Sequence, residues 1–439
     1  IFSLQVCECS AYTNLKCATK QRRNGGNMKK NNKSNFSKFI LLWAGELISG
    51  VGGGLTSFGL GVYVFQKTGS AASMALVTLL AFLPTLLFSV PAGVLADRYD
   101  RRLLMMIGDG CSALGIFYIL VCMRSGEAAL YQICIGVFVS AVFSALLEPA
   151  YRATVTDLLT KEEYSRAGGM VSIAGSARYL ISPVLAGALL AVSDMRLLLL
   201  IDICTFFPTV IGAAVVRKEI AVKEKAGEES FIESFRQGWR AVTGRRGILI
   251  LIAVSALITF FMGTFQILAQ PVILNFADST VLGIGETVCA CGMVVSGLFL
   301  GVKGIKSGHA RILSVSLFIA GIGMAGFGVR ENIFCACGFG FIFFAMLPFA
   351  NNCLDYLIRR NIPDALQGRA WGLIGFISQI GYVAAYGLAG AAADKAAEKF
   401  RVSVGRGATG IVMAAGALLG LTAFFLYFVK SVRALEEAG

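Results

Sequence analysis

The sequence predicts an all-α membrane protein, with twelve transmembrane helices arranged as two six-helix bundles. Three observations carry that expectation. Of 439 residues, 56% are hydrophobic and only 15% charged, with a mean hydropathy of +0.73; soluble domains are roughly a quarter charged. A soluble fold of this size cannot hide so much apolar surface, so the excess faces lipid. The apolar residues come in runs of about twenty, the length a bilayer core requires. The longest polar interruption, 217–246, divides those runs six and six.

The spans fall at 39–65, 70–96, 102–123, 128–157, 165–192, 196–216, 247–275, 280–302, 310–329, 333–358, 369–393 and 407–430. Pro84, Pro91, Pro149, Pro183, Pro208, Pro271 and Pro348 lie inside them; such kinks are tolerated where neighbouring helices re-satisfy the freed carbonyls. Glycine is abundant, with 51 residues, as close helix packing in a bilayer demands.

Basic residues mark alternate loops. Arg98, Arg101 and Arg102, then Lys161 and Arg166, the stretch from Arg217 to Arg246, Lys303 and Lys306, and Arg359 and Arg360 share one side. The opposite loops hold single basic residues (Lys67, Arg124, Arg196, Arg330) until the last, which carries Lys395, Lys399, Arg401 and Arg406. The positive-inside rule then makes both termini cytoplasmic in a multi-pass protein of the plasma (inner) membrane. The resulting plan is a tail over 1–38, a bundle over 39–216, a linker over 217–246, a second bundle over 247–430 and a tail over 431–439. In the linker, Ser230 and Glu233 form a capping box, and Phe231, Phe235, Trp239 and Val242 share one helical face. That pattern predicts an amphipathic helix on the inner leaflet. At the amino end, Met28 opens a basic segment, and it is expected to be the start of the protein, with 1–27 an upstream translation. No cleavable signal is expected.

Several classes of function are disfavoured. The net charge of +13 is spread between apolar runs, so nucleic-acid binding is not expected. The 12 cysteines follow no metal or disulfide spacing, and Cys289/Cys291 and Cys335/Cys337 fall in apolar helices, where free Cys behaves as a small hydrophobe. The one histidine, His309, is placed in a basic loop, so no metal site, cofactor site or catalytic cluster is expected, and the chain does not read as an enzyme. No phosphate-binding G-x-x-x-x-G-K-[ST] loop is present in the sequence.

An internal repeat supports two related halves. Arg166-Ala167 recurs as Arg369-Ala370, Tyr179 as Tyr382, and Leu185-Ala186-Gly187 as Leu388-Ala389-Gly390, all at one offset. Charges within the spans are the functional candidates, since each costs about 2.5–3.5 kcal/mol at bilayer depth even on lenient scales. Glu46 precedes the Gly50-Val-Gly-Gly-Gly54 run and Glu148 precedes Pro149; Arg178 is central in the fifth span. Glu46 first and Glu148 second are expected to respond to protons or cations, with Arg178 as counter-ion. Asp202 reads as structural, and Glu286 as facing a water-filled vestibule. Phe260, Phe261, Phe265, Phe341, Phe343 and Phe344 crowd the second half; most are expected to face lipid or neighbouring helices, and a few to line an apolar cavity.

Gly93-Val-Leu-Ala-Asp97-Arg98-Tyr-Asp-Arg101-Arg102 resembles the G-x-L-a-D-r-x-x-R-[KR] signature of the major facilitator superfamily. Thr68-Gly69-Ser70, Pro149-Ala150-Tyr151-Arg152-Ala153 leading to Arg166-Ala167, and Pro363 through Gly368-Arg369-Ala370 resemble its macrolide-efflux branch of drug:proton antiporters. The resemblance implies the major facilitator fold, a small-molecule substrate, protons as the coupling ion, and export of amphipathic drug-like compounds by alternating access. A monomer in the lipid bilayer is expected. It also implies a conformational latch of Gly93, Asp97, Arg98, Arg101 and Arg102, joined by Asp109, with the glycine letting helices approach. A helix-packing motif, Ser182-Pro183-Val-Leu-Ala186-Gly187, stands where antiporters favour Gly-Pro-x-x-Gly-Gly, and Arg178 occupies a glycine position of that motif. The second-half copy, Gly301 to Lys306, lacks the acid, and Gln132 is the nearest polar group where relatives place a fourth-span arginine. A proton-coupled symporter, a narrow exporter of a metabolite such as a siderophore, and a non-transporting receptor are the alternatives.

Overall fold

The computed structural model describes residues 35–160, 163–219, 246–362 and 367–437. The upstream segment 1–27 and the amphipathic linker helix expected around 230–242 lie outside the described residues. The helices are α1 (Phe36–Thr68), α2 (Ala71–Arg98), α3 (Arg101–Arg124), α4 (Leu130–Ser144), α5 (Leu147–Leu158), α6 (Tyr164–Leu180), α7 (Ser182–Val192), α8 (Met195–Glu219), α9 (Arg246–Leu274), α10 (Ser279–Lys303), α11 (His309–Gly326), α12 (Ile333–Asn361), α13 (Gln367–Phe400), α14 (Val404–Phe428) and α15 (Lys430–Glu437). With α4–α5 and α6–α7 each forming one crossing, 12 segments are long and apolar enough to span a membrane. No strand occurs among the described residues.

The fourth and fifth crossings break where the sequence places proline. Pro149 is in the first turn of α5 and Pro183 in the first turn of α7, where a missing N–H costs nothing because that turn has no intrahelical acceptor for it. The eleventh crossing overruns its expected end at 393 and continues to Phe400. Hydropathy falls at Asp394-Lys395, but the alanines on either side keep helix propensity high.

Several helix starts are capped locally. Asp100 caps α3 through Arg102 N at 3.1 Å, Asp278 caps α10 through Val281 N at 2.8 Å, and Asn332 caps α12 through Phe334 N at 2.8 Å. Each supplies the acceptor that an orphaned first-turn N–H needs. Two helices borrow their acceptors from far along the chain. Asp394 serves the start of α2, and Glu436 the start of α11, whose own cap position is Gly308 at φ +78°.

The chain forms two compact units. One holds the chain up to Thr56, Leu80–Ser182 and α8; the other holds Ser57–Leu79, Pro183–Asp194 and everything from α9 onward. In the first, Phe39, Leu42, Met105, Ala150 and Val216 form the core from α1, α3, α5 and α8. There α3 and α4 cross where Gly115 meets the carbonyl of Gly136, a contact no side chain would permit. In the second unit, Phe265 stacks on Phe343 at 4.7 Å and meets Phe327 edge-on at 4.7 Å. Phe261, Phe265 and Phe343 are 1%, 3% and 0% exposed; these three are packing core, set against neighbouring helices as expected for most of the six phenylalanines. His309 is also corrected: it opens α11 instead of lying in a loop, is 3% exposed, and stacks on Tyr356 at 3.7 Å.

Candidate functional site

The ionisable groups of the first unit gather along α1. Its glycine run separates two faces. A Cβ on Gly45 would press within 3.1 Å of the Thr209 backbone, one on Gly52 would fall on Thr205 Oγ1, and one on Gly54 on Ser182 Oγ. Those glycines let α1 lie against α6–α8. Gly50 has open space, and Gly53 meets only Arg178 Nη2, at 4.0 Å. Glu46, Gly50 and Gly53 are spaced i, i+4, i+7 and so share one face. Thus the acid, two positions without bulk and a guanidinium line a single surface.

Glu46 Oε2 is buried and has no hydrogen-bond partner. Its electrostatic neighbours are Glu148 and Arg178. Asp202, 1% exposed, lies 3.0 Å from the Gly52 Cβ position and has Thr56, Thr205 and Arg178 around it. Asp109, also 1% exposed, has Glu46, Asp202 and Thr209 as neighbours. Arg178 therefore faces two buried carboxyls, Glu46 and Asp202, and the Asp109 carboxyl neighbours both of those acids. A bound proton or a cationic ligand can offset that imbalance, because uncompensated charge in a low-dielectric interior is costly. Glu148 is placed differently: it is exposed and accepts both Arg152 Nε (3.1 Å) and Nη2 (2.7 Å) on Oε1.

The second bend in this unit is built by the packing motif. Ser182 Oγ donates to Val51 O at 3.0 Å, fixing the α6–α7 break against the glycine run of α1. Pro183, Ala186 and Gly187 belong to the second unit, where a Gly187 Cβ would fall 2.5 Å from Ser279 O. Ala186 is fully buried.

Of the latch residues, Arg101 bonds Asp157 Oδ2 at 2.8 Å and donates to Ala96 O and Ala153 O, tying the end of α2 to α5. Arg102 is 4% exposed while Arg98 is exposed. The Asp97 and Arg369 side chains lie outside the description. Among the described residues, a Cβ on Gly93 would meet nothing within 4 Å. Sequence reading missed two acids here. Asp100 combines its capping role with a 2.7 Å bond to Arg217 Nε, and Asp157 pairs with Arg101. Asp100 was legible as an Asp just ahead of a helix.

The second unit holds polar groups around and beyond Glu286, the acid that the sequence singled out there. Tyr386 Oη bonds Gln266 Oε1 at 2.9 Å, Tyr382 Oη reaches Met262 Sδ at 3.1 Å, and Glu286 is hydrogen-bonded to Gln270. No group of three or more metal-ligating side chains occurs among the described residues.

A profile of the Major Facilitator Superfamily matches residues 42–386. The chain belongs to the Major Facilitator Superfamily. This facilitator is a transporter and not an enzyme. It is 25% identical over 350 residues to Macrolide efflux protein A of Streptococcus pyogenes, covering 78% of this chain and 86% of that protein. It is 23% identical over 376 residues to Multidrug efflux pump Tap of Mycolicibacterium fortuitum, covering 81% and 89%. Its fold is similar to the crystal structure of the nucleoside transporter NupG, with a TM-score of 0.65, 13% identity, and 89% and 98% of the two chains covered.

Proposed function

We propose that this facilitator exports amphipathic, drug-like compounds of the macrolide type, exchanging them for protons by alternating access of its two halves. The observation that supports this best is the Glu46–Gly50–Gly53 face of α1, with Arg178 beside it. A buried carboxyl oxygen with no hydrogen-bond partner is free to exchange a proton for a salt bridge or a cationic ligand, and two glycines beside it leave room for one. Glu46 is the coupling acid and Arg178 its counter-charge, a guanidinium shared with Asp202, while Asp109 neighbours both acids. Glu148, already held by Arg152, is a weaker second candidate. The macrolide and multidrug efflux proteins among the relatives support the substrate class.

The loop charges support a cytoplasmic side for the ends of α2, α5 and α12 and for both termini. The halves are 39–216 and 247–430, joined by the linker 217–246, and the protein works as a monomer.

The test is efflux of a preloaded macrolide or fluorescent cation from cells expressing the wild type or Glu46→Gln, with and without an uncoupler. Uncoupler-sensitive efflux by the wild type, lost in Glu46→Gln at equal membrane abundance, is the expected result. Unchanged efflux in Glu46→Gln removes that acid from coupling. Efflux that ignores the uncoupler refutes proton exchange.

A further inference from the structure

The start of α2 carries a bond set assembled across 324 residues of chain. Asp394, on the extension of α13, accepts Ser70 Oγ at 2.6 Å and Ala72 N at 3.1 Å on Oδ2, and Ala71 N at 2.9 Å on Oδ1. Ser70 Oγ in turn accepts Ser73 N at 3.1 Å. The first three N–H groups of α2 are thus satisfied, two of them by a residue on another helix. One turn before Asp394, Gly390 brings α13 against α2: a Cβ there would lie 2.5 Å from Ala71 O.

The internal repeat locates a sister seam. Gly187 is the counterpart of Gly390, and its Cβ would lie 2.5 Å from Ser279 O, at the start of α10. The glycine contact is common to both seams, but the acid is not. Ala191 stands at the position equivalent to Asp394. There α10 is capped by its own Asp278, and the bond across the seam is Thr280 Oγ1 to Gly187 O at 3.3 Å.

We propose that Asp394 is a positioning residue of the transport cycle, a latch that holds the α2–α13 and α7–α10 seams closed together at this end of the molecule. The inference rests on the alternating-access reading. Both seams lie at the same end, where α1 joins α2 and where α9 joins α10, so a cycle that opens this end separates both. The latch suits a reversible contact. Asp394 is only half-buried, so when the seam parts, water takes over both the carboxylate and the amides it held. A carboxylate at a helix start also gains from the macrodipole while the seam is shut. The other seam has no acid at the equivalent position, so Asp394 is the feature that sets the α2–α13 seam apart from its sister.

The test is hydrogen–deuterium exchange on the full chain in nanodiscs, comparing wild type, Asp394→Ala and Asp394→Asn. Loss of a cap of this kind corresponds to about a 5- to 30-fold change in a local opening equilibrium. Asp394→Ala should accelerate exchange by that factor at 71–74, and also at 280–284 on the sister seam, which Asp394 does not touch. Asp394→Asn, which keeps an acceptor oxygen but loses the charge, should fall between. Acceleration confined to 71–74 would show a local cap and overturn the latch, as would unchanged exchange at both seams. The readout does not depend on the transported compound, so it can fail while the export reading stands. Where Asp394→Ala does not fold, Asp394→Asn carries the same comparison.

Discussion

Truncating Glu436 tests whether a borrowed cap holds the end of the second unit together. Its carboxylate accepts His309 N at 2.9 Å on Oε1 and Ala310 N at 3.1 Å on Oε2, while Gly308 offers α11 no side-chain acceptor of its own. The His309 imidazole stands 3.6 Å from Oε1. The same contact seats α15: Val432 and Leu435 are 1% and 5% exposed, and Asn361 Nδ2 donates to Leu435 O at 3.0 Å. Losing an N-cap acceptor costs about 0.5–2 kcal/mol, and losing the negative charge at a helix start about 0.3–1 kcal/mol more. Glu436→Ala should therefore destabilise the protein by about 1–3 kcal/mol, read as a lower thermal midpoint in detergent at pH 7. The charge also gives a pH signature. Burial pushes the Glu436 carboxyl up, but the Ala310, His309 and Gly308 amides and the His309 ring outweigh it and hold it below its usual value. A group lowered on folding stabilises above its unfolded pKa, about 4.3 for Glu, and that stabilisation is lost as pH falls from there through the folded value. The gap between wild type and Glu436→Gln should be full at pH 7 and shrink below about pH 4.3. Equal midpoints at pH 7, or a gap that widens on acidification, would refute the reasoning.

Two further outcomes follow from packing. Phe265→Ala removes a ring that touches Phe327, Phe343 and Phe344 in the core of the second unit; it should cost about 3–5 kcal/mol, seen as a lowered midpoint or as loss of folded protein in size-exclusion chromatography. Gly52→Ala and Gly50→Ala should part ways although they are two residues apart. The first drives a methyl into Thr205 and Asp202 and costs about 1–3 kcal/mol; the second enters open space and gains about 0.5–1 kcal/mol of helix stability. Equal midpoints for the two would mean that α1 does not present these faces as described.

The twelve crossings were legible because a membrane span is set by composition over a length, and both are properties of the sequence alone. Their ends were legible where polarity and helix propensity change together, as at Arg101–Arg124. At α13 the two part company, and the helix continues past the apolar run. Glu46 and Arg178 stood out from cost: charge at bilayer depth asks for a reason. The sequence could not say that Glu148 already has Arg152, because exposure decides whether an i, i+4 pair satisfies an acid or leaves it for something else.

The internal repeat shows the division most clearly. Its Leu-Ala-Gly copies could be read as letters, and the paired halves followed from them. That both glycines lie against the start of another helix, at α10 and α2, took coordinates. The caps on α2 and α11 were hidden for the same reason. A local cap is written in neighbouring residues, as at Asp100, whereas Asp394 and Glu436 reach amides that are 323 and 127 residues away. Composition and periodicity determine which segments become helices. Which backbone groups remain unsatisfied at their ends, and which distant side chain arrives to meet them, depends on how those helices pack.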